Sequence, residues 1–221
     1  FNLYDKTNPP RCWLNQKLLY KHADLTVVEG LTYSCNYFFY TVGSRLYEKT
    51  DDQLYKTAAL YGLTTKTGID LPGEKRGMIP NAQFYDKAYR GSWNGLTVIS
   101  IAIGQGEVTA TPLQIANLGA TIANRGYFVT PHVVKEIEGE PMDSVFSEKR
   151  YTKVDKSHYD EVAQGMRMAV LGGTCRTANL PDIEICGKTG TAQNHGKDHS
   201  AFMGFAPLNN PKIAVAVYVE N

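Results

Sequence analysis

The sequence predicts an α/β fold of the α+β kind, an antiparallel sheet flanked by helices. Three observations carry this expectation. Residues 183–186, 200–206 and 212–219 are short alternating or apolar runs of strand length. Leu208-Asn209-Asn210-Pro211, between the last two, is turn chemistry in which Asn tolerates the positive φ of a tight reversal. Ahead of the strands the chain is punctuated by helix signals. Thr111-Pro112-Leu113-Gln114 is the best of them, with a capping hydroxyl, proline at the first helical position and Gln at the third.

The chain of 221 residues is long enough for one domain with a proper core. Its 43% hydrophobic and 20% charged residues are ordinary for a globular domain. A formal net charge of +1 supplies no field to attract nucleic acid or an acidic membrane surface. No apolar run reaches the ~18 residues of a membrane span, and no signal peptide is visible. Four cysteines, Cys12, Cys35, Cys175 and Cys186, are too few for a disulfide framework and leave the redox compartment open.

Taken in order, the first 24 residues are irregular, with a turn at Asn8-Pro9-Pro10 and a polar stretch up to His22. So long a loop in a compact domain needs either a function or an internal staple. A helical pattern then runs from Leu25 through Leu31 toward Tyr33-Ser34-Cys35-Asn36. Tyr37-Phe38-Phe39-Tyr40-Thr41-Val42 is apolar nearly all round, which predicts a buried helix. Ser34 and Asn36 therefore fall at a junction of two helical segments, where a polar pair can face a cleft.

Thr50-Asp51-Asp52-Gln53 reads as a capping box for a helix to Tyr61, closed by Gly62. Residues 68–74 are a breaker-rich loop. The helix opened by Thr111 runs to about Asn124, and Gly126 stops it. The most charged stretch, residues 136–159, predicts a solvated connection within the domain. Ser157 caps a last helix to Leu171, ended by Gly172-Gly173.

The chemistry is concentrated in Gly187-Lys188-Thr189-Gly190-Thr191-Ala192-Gln193, expected near the end of the first strand of the sheet. A strand there presents a cation, hydroxyls and bare glycine backbone along one edge, suited to docking a chain that ends in a carboxylate. Lys66-Thr67-Gly68 repeats the tripeptide but runs into Ile69-Asp70-Leu71-Pro72-Gly73, so it is read as a loop without a catalytic role. Gly187-Lys188-Thr189 fails as a phosphate loop, whose spacing requires Gly at Asp182. Gly104-Gln105-Gly106 lacks the strand–turn–helix setting of a dinucleotide fingerprint.

In this order and context, Ser34-Cys35-Asn36 and Lys188-Thr189-Gly190-Thr191 resemble the Ser-x-Asn and Lys-Thr-Gly motifs of penicillin-binding transpeptidases. Residues 68–73, residues 104–106 through 109–114, and Phe202-Met203-Gly204-Phe205-Ala206-Pro207 are similar to that family too. The chain looks like the later part of a class B penicillin-binding protein's transpeptidase domain, of the elongation or sporulation type. Residues 1–221 are thus expected to be a partial transpeptidase domain with a penicillin-binding-protein/serine β-lactamase-like fold, incomplete in this chain.

The resemblance implies a peptidoglycan D,D-transpeptidase, which cross-links the cell wall by acyl transfer from D-Ala-D-Ala stem peptides and is acylated by β-lactams. It assigns Ser34 to a proton relay with Lys188, and Asn36 to holding an amide of the substrate. Thr189, Gly190 and Thr191 would form the substrate-binding strand, with the Thr189 and Thr191 hydroxyls on the carboxylate and the Thr191 N–H as one oxyanion donor. No Ser-x-x-Lys is present in the chain; Ser147-Glu148-Lys149 has the wrong spacing and Ser44 precedes Glu48. In the family the attacking serine lies upstream of Ser-x-Asn. It is therefore expected before Phe1 together with the first strands, a final helix is expected after Asn221, and this chain alone is expected to be inactive. Same-fold alternatives are a β-lactamase or a β-lactam sensor, and a further one is a non-catalytic scaffold module.

Cys12, His22 and Cys35 bring two thiols and an imidazole into 24 residues, a set that suits tetrahedral Zn²⁺. Asp5 is the expected fourth ligand, with Asp24 as its substitute. Without metal, Cys35 is a small buried hydrophobe and His22 a satisfied loop histidine. Some class B penicillin-binding proteins carry a structural zinc beside a Ser-x-Asn whose middle residue is Cys, and the chain is similar to that subset. His195 and His199 form a weaker pair. By the same resemblance, the partners are stem peptides, β-lactams, the remainder of the transpeptidase domain and a membrane polymerase of glycan strands, with no nucleic acid. The parent protein is expected in the bacterial cytoplasmic membrane with this domain facing the wall.

Overall fold

The computed structural model describes residues 1–14, 22–194 and 196–221. Two helices meet at a sharp corner. Helix α1 (Val27–Thr32) opens on a capping box in which the Thr26 hydroxyl accepts from the Glu29 N–H and the Glu29 carboxylate accepts from the Thr26 N–H. It closes with Ser34 in the left-handed region, φ 50°. The N–H of Ser34 donates to Leu31 and that of Cys35 to Gly30, the paired bonds of a Schellman motif in which glycine normally takes the turning position. Helix α2 (Asn36–Lys49) departs from that corner.

The expectation that α2 is buried all round is corrected. Tyr40 is buried at 8% exposure, but Tyr37 is 51% and Val42 37% exposed. One stripe packs on helix α5 (Gly95–Ile101) and the residue after it, where a Cβ at Gly43 would come within 2.6 Å of the Ala102 methyl. Phe38, Thr41 and Val42 instead face a cavity of about 730 Å³ shared with Arg11 and Asp24 of the N-terminal loop.

Helix α3 (Gln53–Leu60) ends at Tyr61 and Gly62 as expected, but its capping box does not form. The Asp52 carboxylate accepts from the Ala82 N–H at 2.7 Å, so a bond to helix α4 (Ala82–Tyr89) replaces the local cap. Helix α6 (Pro112–Ala123) has the predicted box and N-terminal proline. Its Gln114 does more than cap. At 2% exposure, Oε1 accepts from the Gly77 N–H, and Nε2 donates to the carbonyls of Leu63 and Thr65.

Strands β1 (Tyr127–Phe128) and β2 (Arg150–Tyr151) form a short antiparallel ladder. Residues 133–144 between them are exposed, as expected of a solvated connection, with Asp70 accepting from the N–H groups of Val133 and Val134. The chain then turns inward, for Thr152 is wholly buried and Tyr159 is 3% exposed. Helix α7 (Lys156–Gly172) begins slightly earlier than predicted. Asp155, not Ser157, is the cap; it accepts from both the N–H and the hydroxyl of Ser157.

The main sheet is antiparallel in the order β3 (Cys186–Ala192), β4 (His199–Ala206), β5 (Ile213–Val219). Lys188 faces Met203, which faces Ala216. Residues 184 and 185 are not strand, because Ile183 pairs back with Leu180 in an isolated bridge. The strand therefore starts at Cys186, and Lys-Thr-Gly lies in its middle rather than near its end. Ile122 and Ala123 of α6 and Tyr159, Ala163 and Met166 of α7 pack on Cys186 and Phe205 as the core. Burial pushes the Cys186 thiol up to about 11, which suits a packing residue, and all four cysteines are free. On β5, the alternate residues Ile213, Val215, Val217 and Val219 are 61, 38, 50 and 49% exposed. Among the described residues no helix is long and apolar enough to cross a membrane.

Candidate active site

The corner between α1 and α2 meets strand β3 through Lys188. Its Nζ donates to Ser34 Oγ at 2.8 Å and to the Thr189 carbonyl at 2.7 Å, joining positions 154 residues apart. Ser-x-Asn at a helix junction has an ordinary local use as a cap, and that use is absent here. The cap position is Cys35, which makes no side-chain cap bond, and Asn36 is already the first helical residue. Holding a serine in the left-handed region costs about 1–2 kcal/mol relative to glycine, and what it gains is a hydroxyl aimed at β3. Because the ammonium is the donor, Ser34 Oγ accepts, and its own proton is directed elsewhere.

Burial pulls the Lys188 pKa below the ordinary lysine value, and the nearby Cys175 opposes this. A lysine so placed is closer to exchanging its proton near neutrality than an exposed one. The Phe202 ring covers the strand pair next to it: a Cβ at Gly187 would come within 2.6 Å of that ring, and one at Gly204 within 2.8 Å. Glycine on both sides is what lets the aromatic ring lie that close.

The Thr189 hydroxyl donates to Thr174 Oγ1 at 3.2 Å, while the Thr174 N–H donates to the Thr32 carbonyl. Thr174 therefore ties β3 to the end of α1, and the sequence reading missed it. Gln105 was missed as well. Its Nε2 donates to the Thr191 carbonyl at 2.7 Å, and its Oε1 accepts from the Gln193 N–H at 3.4 Å. Both contacts are remote in sequence; the only signal was the Gly-Gln-Gly triplet itself. The second Lys-Thr-Gly is a loop staple, since the N–H and hydroxyl of Thr67 and the N–H of Gly68 all donate to Glu74.

Of the four candidate metal ligands, three come together. Ligand atoms of Cys12, His22 and Cys35 lie within 4.8 Å of one another, with Cys12 Sγ 3.5 Å from His22 Nδ1. Asp5 is not in the group: its carboxylate accepts from the N–H and hydroxyl of Thr7 and the N–H of Asn8, closing a turn of the leader. Asp24, the substitute, lines the same cavity as the three. Burial raises the Cys35 thiol pKa, with the adjacent Cys12 adding to it, and lowers that of His22, so both favour their neutral forms. His195 lies outside the described residues. His199 has its ring nitrogens engaged by the Asn194 side chain and the Asn221 N–H.

A helical corner bearing Ser-x-Asn, bridged by lysine to the edge strand of an antiparallel sheet, defines the penicillin-recognising class of α/β domains. The model of the penicillin binding protein transpeptidase domain matches residues 2–221, and the chain belongs to that family. It is 34% identical over 220 residues to the peptidoglycan D,D-transpeptidase MrdA of Acinetobacter baumannii, covering 90% of this chain and 32% of that protein. Among solved structures it is similar to Pseudomonas aeruginosa PBP2 in complex with WCK 5153, with a TM-score of 0.84, 34% identity, and coverage of 100% of this chain and 49% of that one. It is also similar to a chain from a peptidoglycan synthase complex described as coordinating polymerization and crosslinking, with a TM-score of 0.75, 33% identity, and coverage of 89% and 34%. The chain spans about a third of the length of the MrdA relative.

Proposed function

We propose that this domain is the substrate-binding and proton-relay part of a serine-type peptidoglycan D,D-transpeptidase, which β-lactams acylate. The observation that carries the reading is the Lys188–Ser34 hydrogen bond of 2.8 Å. It ties the corner that carries Ser-x-Asn to the strand that bears Thr189 and Thr191, which supports Asn36 as a residue of the same groove. An extended peptide laid along the free edge of β3 would offer its terminal carboxylate to the two threonine hydroxyls and its penultimate carbonyl to the Thr191 N–H. Lys188 and Ser34 would then carry the proton released by the attacking hydroxyl toward the departing D-Ala amine. The attacking serine is proposed to come from outside residues 1–221, since no Ser-x-x-Lys occurs within them.

The test uses two acyl-D-Ala-D-Ala peptides, one with a free carboxylate and one amidated, titrated into the protein by calorimetry. The carboxylate form is expected to bind at least tenfold more tightly, a preference that Thr189→Val removes; equal affinities would sink the reading. A fluorescent penicillin is expected to leave this chain unlabelled, and covalent labelling would put the attacking serine inside it.

We also propose a structural zinc held by Cys12, His22 and Cys35, with Asp24 in the fourth position. Two thiolates and an imidazole suit that ion, and sulfur and nitrogen ligands on tetrahedral zinc stand about 3.5 Å apart, the spacing found between Cys12 and His22. The ion would add to the Tyr4–Ser44 and Trp13–Tyr33 hydrogen bonds that tie the leader to the domain, fixing it to the residue between Ser34 and Asn36. About one zinc per chain is expected by elemental analysis, bound less tightly in acid because thiolates must form. Chelation is expected to lower the melting temperature, and Cys35→Ser to abolish both the zinc and the chelator effect. A metal-free protein with an unchanged melting temperature would refute it.

Further proposals follow the relatives: stem peptides and β-lactams as ligands, the remainder of the same transpeptidase domain and a glycan-strand polymerase as partners, and a parent protein anchored in the bacterial membrane. The synthase complex that includes a similar chain supports the polymerase.

A further inference from the structure

We propose that Cys12 and Cys35 are an oxidation site, closing to a disulfide when the pair holds no metal. The pairing rests on geometry that stands with or without zinc. The two sulfurs are free and lie within 4.8 Å of each other, with Cys12 Sγ 3.5 Å from His22 Nδ1. A disulfide needs about 2.05 Å, so the sulfurs have to close by less than about 3 Å, which one rotamer change covers. The Cys35 side chain is not spent on its helix. It sits at the N-cap of α2 without a side-chain cap bond, while its N–H donates to the Gly30 carbonyl and fixes the backbone independently. The leader that carries Cys12 is seated on the same corner. The Trp13 indole donates to the Tyr33 carbonyl at 3.0 Å, and the His22 ring stacks on that of Tyr33. Contacts at Tyr33 and Cys35 therefore hold the leader on either side of Ser34.

Burial ordinarily shields a thiol, and Cys12 and Cys35 are 7% and 3% exposed. Both nevertheless line the cavity of about 730 Å³, together with His22, so a molecule the size of hydrogen peroxide can reach them. Cys175 and Cys186 do not line it. With hydrogen peroxide as the oxidant, the Cys12 thiol gives its proton to His22 and its sulfur attacks one peroxide oxygen. The O–O bond breaks, and hydroxide leaves and takes that proton as water, giving a sulfenic acid. The Cys35 sulfur then attacks the Cys12 sulfur, the S–O bond breaks, and a second water leaves with the Cys35 proton. Two thiols and one peroxide become one disulfide and two waters. The same two sulfurs cannot be disulfide and metal ligands at once, so zinc held as proposed above would protect them. The crosslink would anchor the leader to the residue between Ser34 and Asn36, which links the oxidation state of the pair to the corner that Lys188 touches. The parent's proposed position outside the membrane is the kind of compartment in which disulfides persist.

The test treats the chelator-stripped protein with hydrogen peroxide, alkylates the thiols that remain and maps the peptides by mass spectrometry. One Cys12–Cys35 crosslink is expected, about 2 Da lighter than the reduced pair, with Cys175 and Cys186 alkylated and dithiothreitol restoring both thiols. In Cys12→Ser, Cys35 is expected to take no partner from Cys175 or Cys186. Mixed pairs, or oxidation of Cys12 and Cys35 separately without a crosslink, would overturn the proposal, as would survival of both thiols. Zinc added before the peroxide is expected to slow crosslinking about tenfold or more. Crosslinking at an unchanged rate would sink the metal reading and leave the disulfide standing.

Discussion

Lys188→Met is expected to slow β-lactam acylation of the intact parent protein by about 10²–10⁴-fold and, at the same time, to raise the melting temperature of the domain. The first effect follows from removing the donor that holds Ser34 Oγ at 2.8 Å and with it the proposed relay. The second follows from burial. The ammonium is pulled out of water against two neutral oxygens, and its pKa is lowered by desolvation first, with Cys175 opposing. An apolar side chain of similar length avoids that penalty, so a gain of about 1–2 kcal/mol is expected, or roughly 3–6 °C for a chain of this size. The sign can be checked by pH. With the folded pKa below the unfolded one, the unfolded chain binds more protons between the two values, and stability rises with pH there. The penalty is complete below the folded pKa and gone above the unfolded one near 10.5. The advantage of Lys188→Met should therefore be largest near neutrality and shrink as the solution becomes alkaline. A variant that lost acylation and also melted earlier would make Lys188 a structural strut.

Gln114→Leu is the substitution expected to destabilise the fold most. It keeps the volume and removes every polar atom of a side chain only 2% exposed, leaving the buried Gly77 N–H and the part-buried Leu63 and Thr65 carbonyls without this partner. It also undoes the reciprocal half of the α6 cap, in which Oε1 accepts from the Thr111 N–H. At about 1–3 kcal/mol for the stranded buried N–H and about 0.5–1 for each part-buried carbonyl, a loss of about 2–4 kcal/mol is expected, on the order of 10 °C in melting temperature. Gln114→Glu should fall between, since it keeps the acceptor and gives up both donated bonds. Denaturant unfolding measures both; a loss under about 1 kcal/mol for the leucine variant would mean that water or rearranged backbone satisfies the same groups.

What was legible in the sequence was local. Thr111-Pro112 with Gln114 starts α6 where its chemistry says it must, and the Asn209-Asn210 turn pairs β4 with β5. Ser34 and Asn36 fall at the helix junction, and Lys188 reaches it. The misreadings were decided by partners far along the chain. Asp52 serves α4 rather than its own helix, and Ile183 turns back on Leu180 instead of extending β3. Helices α4 and α5 went unread because eight and seven residues are too short for an apolar stripe, although Asn81 and Asn94 cap them. Thr26 with Glu29 was a capping box in plain view. Gln105 and Thr174 could not be found by any window of sequence, since their meaning lies in which backbone they touch.

The valine row on β5 has a consequence of its own for anyone handling the isolated chain. Ile213, Val215, Val217 and Val219 present an uncharged, branched, strand-shaped ridge on the outermost ribbon of the sheet. Two molecules meeting along it could zip together without either unfolding, so crowding and kosmotropic salt should both drive the material out of solution. A lysine at Val217 would act as a gatekeeper there, at little expense to a side chain already half in water.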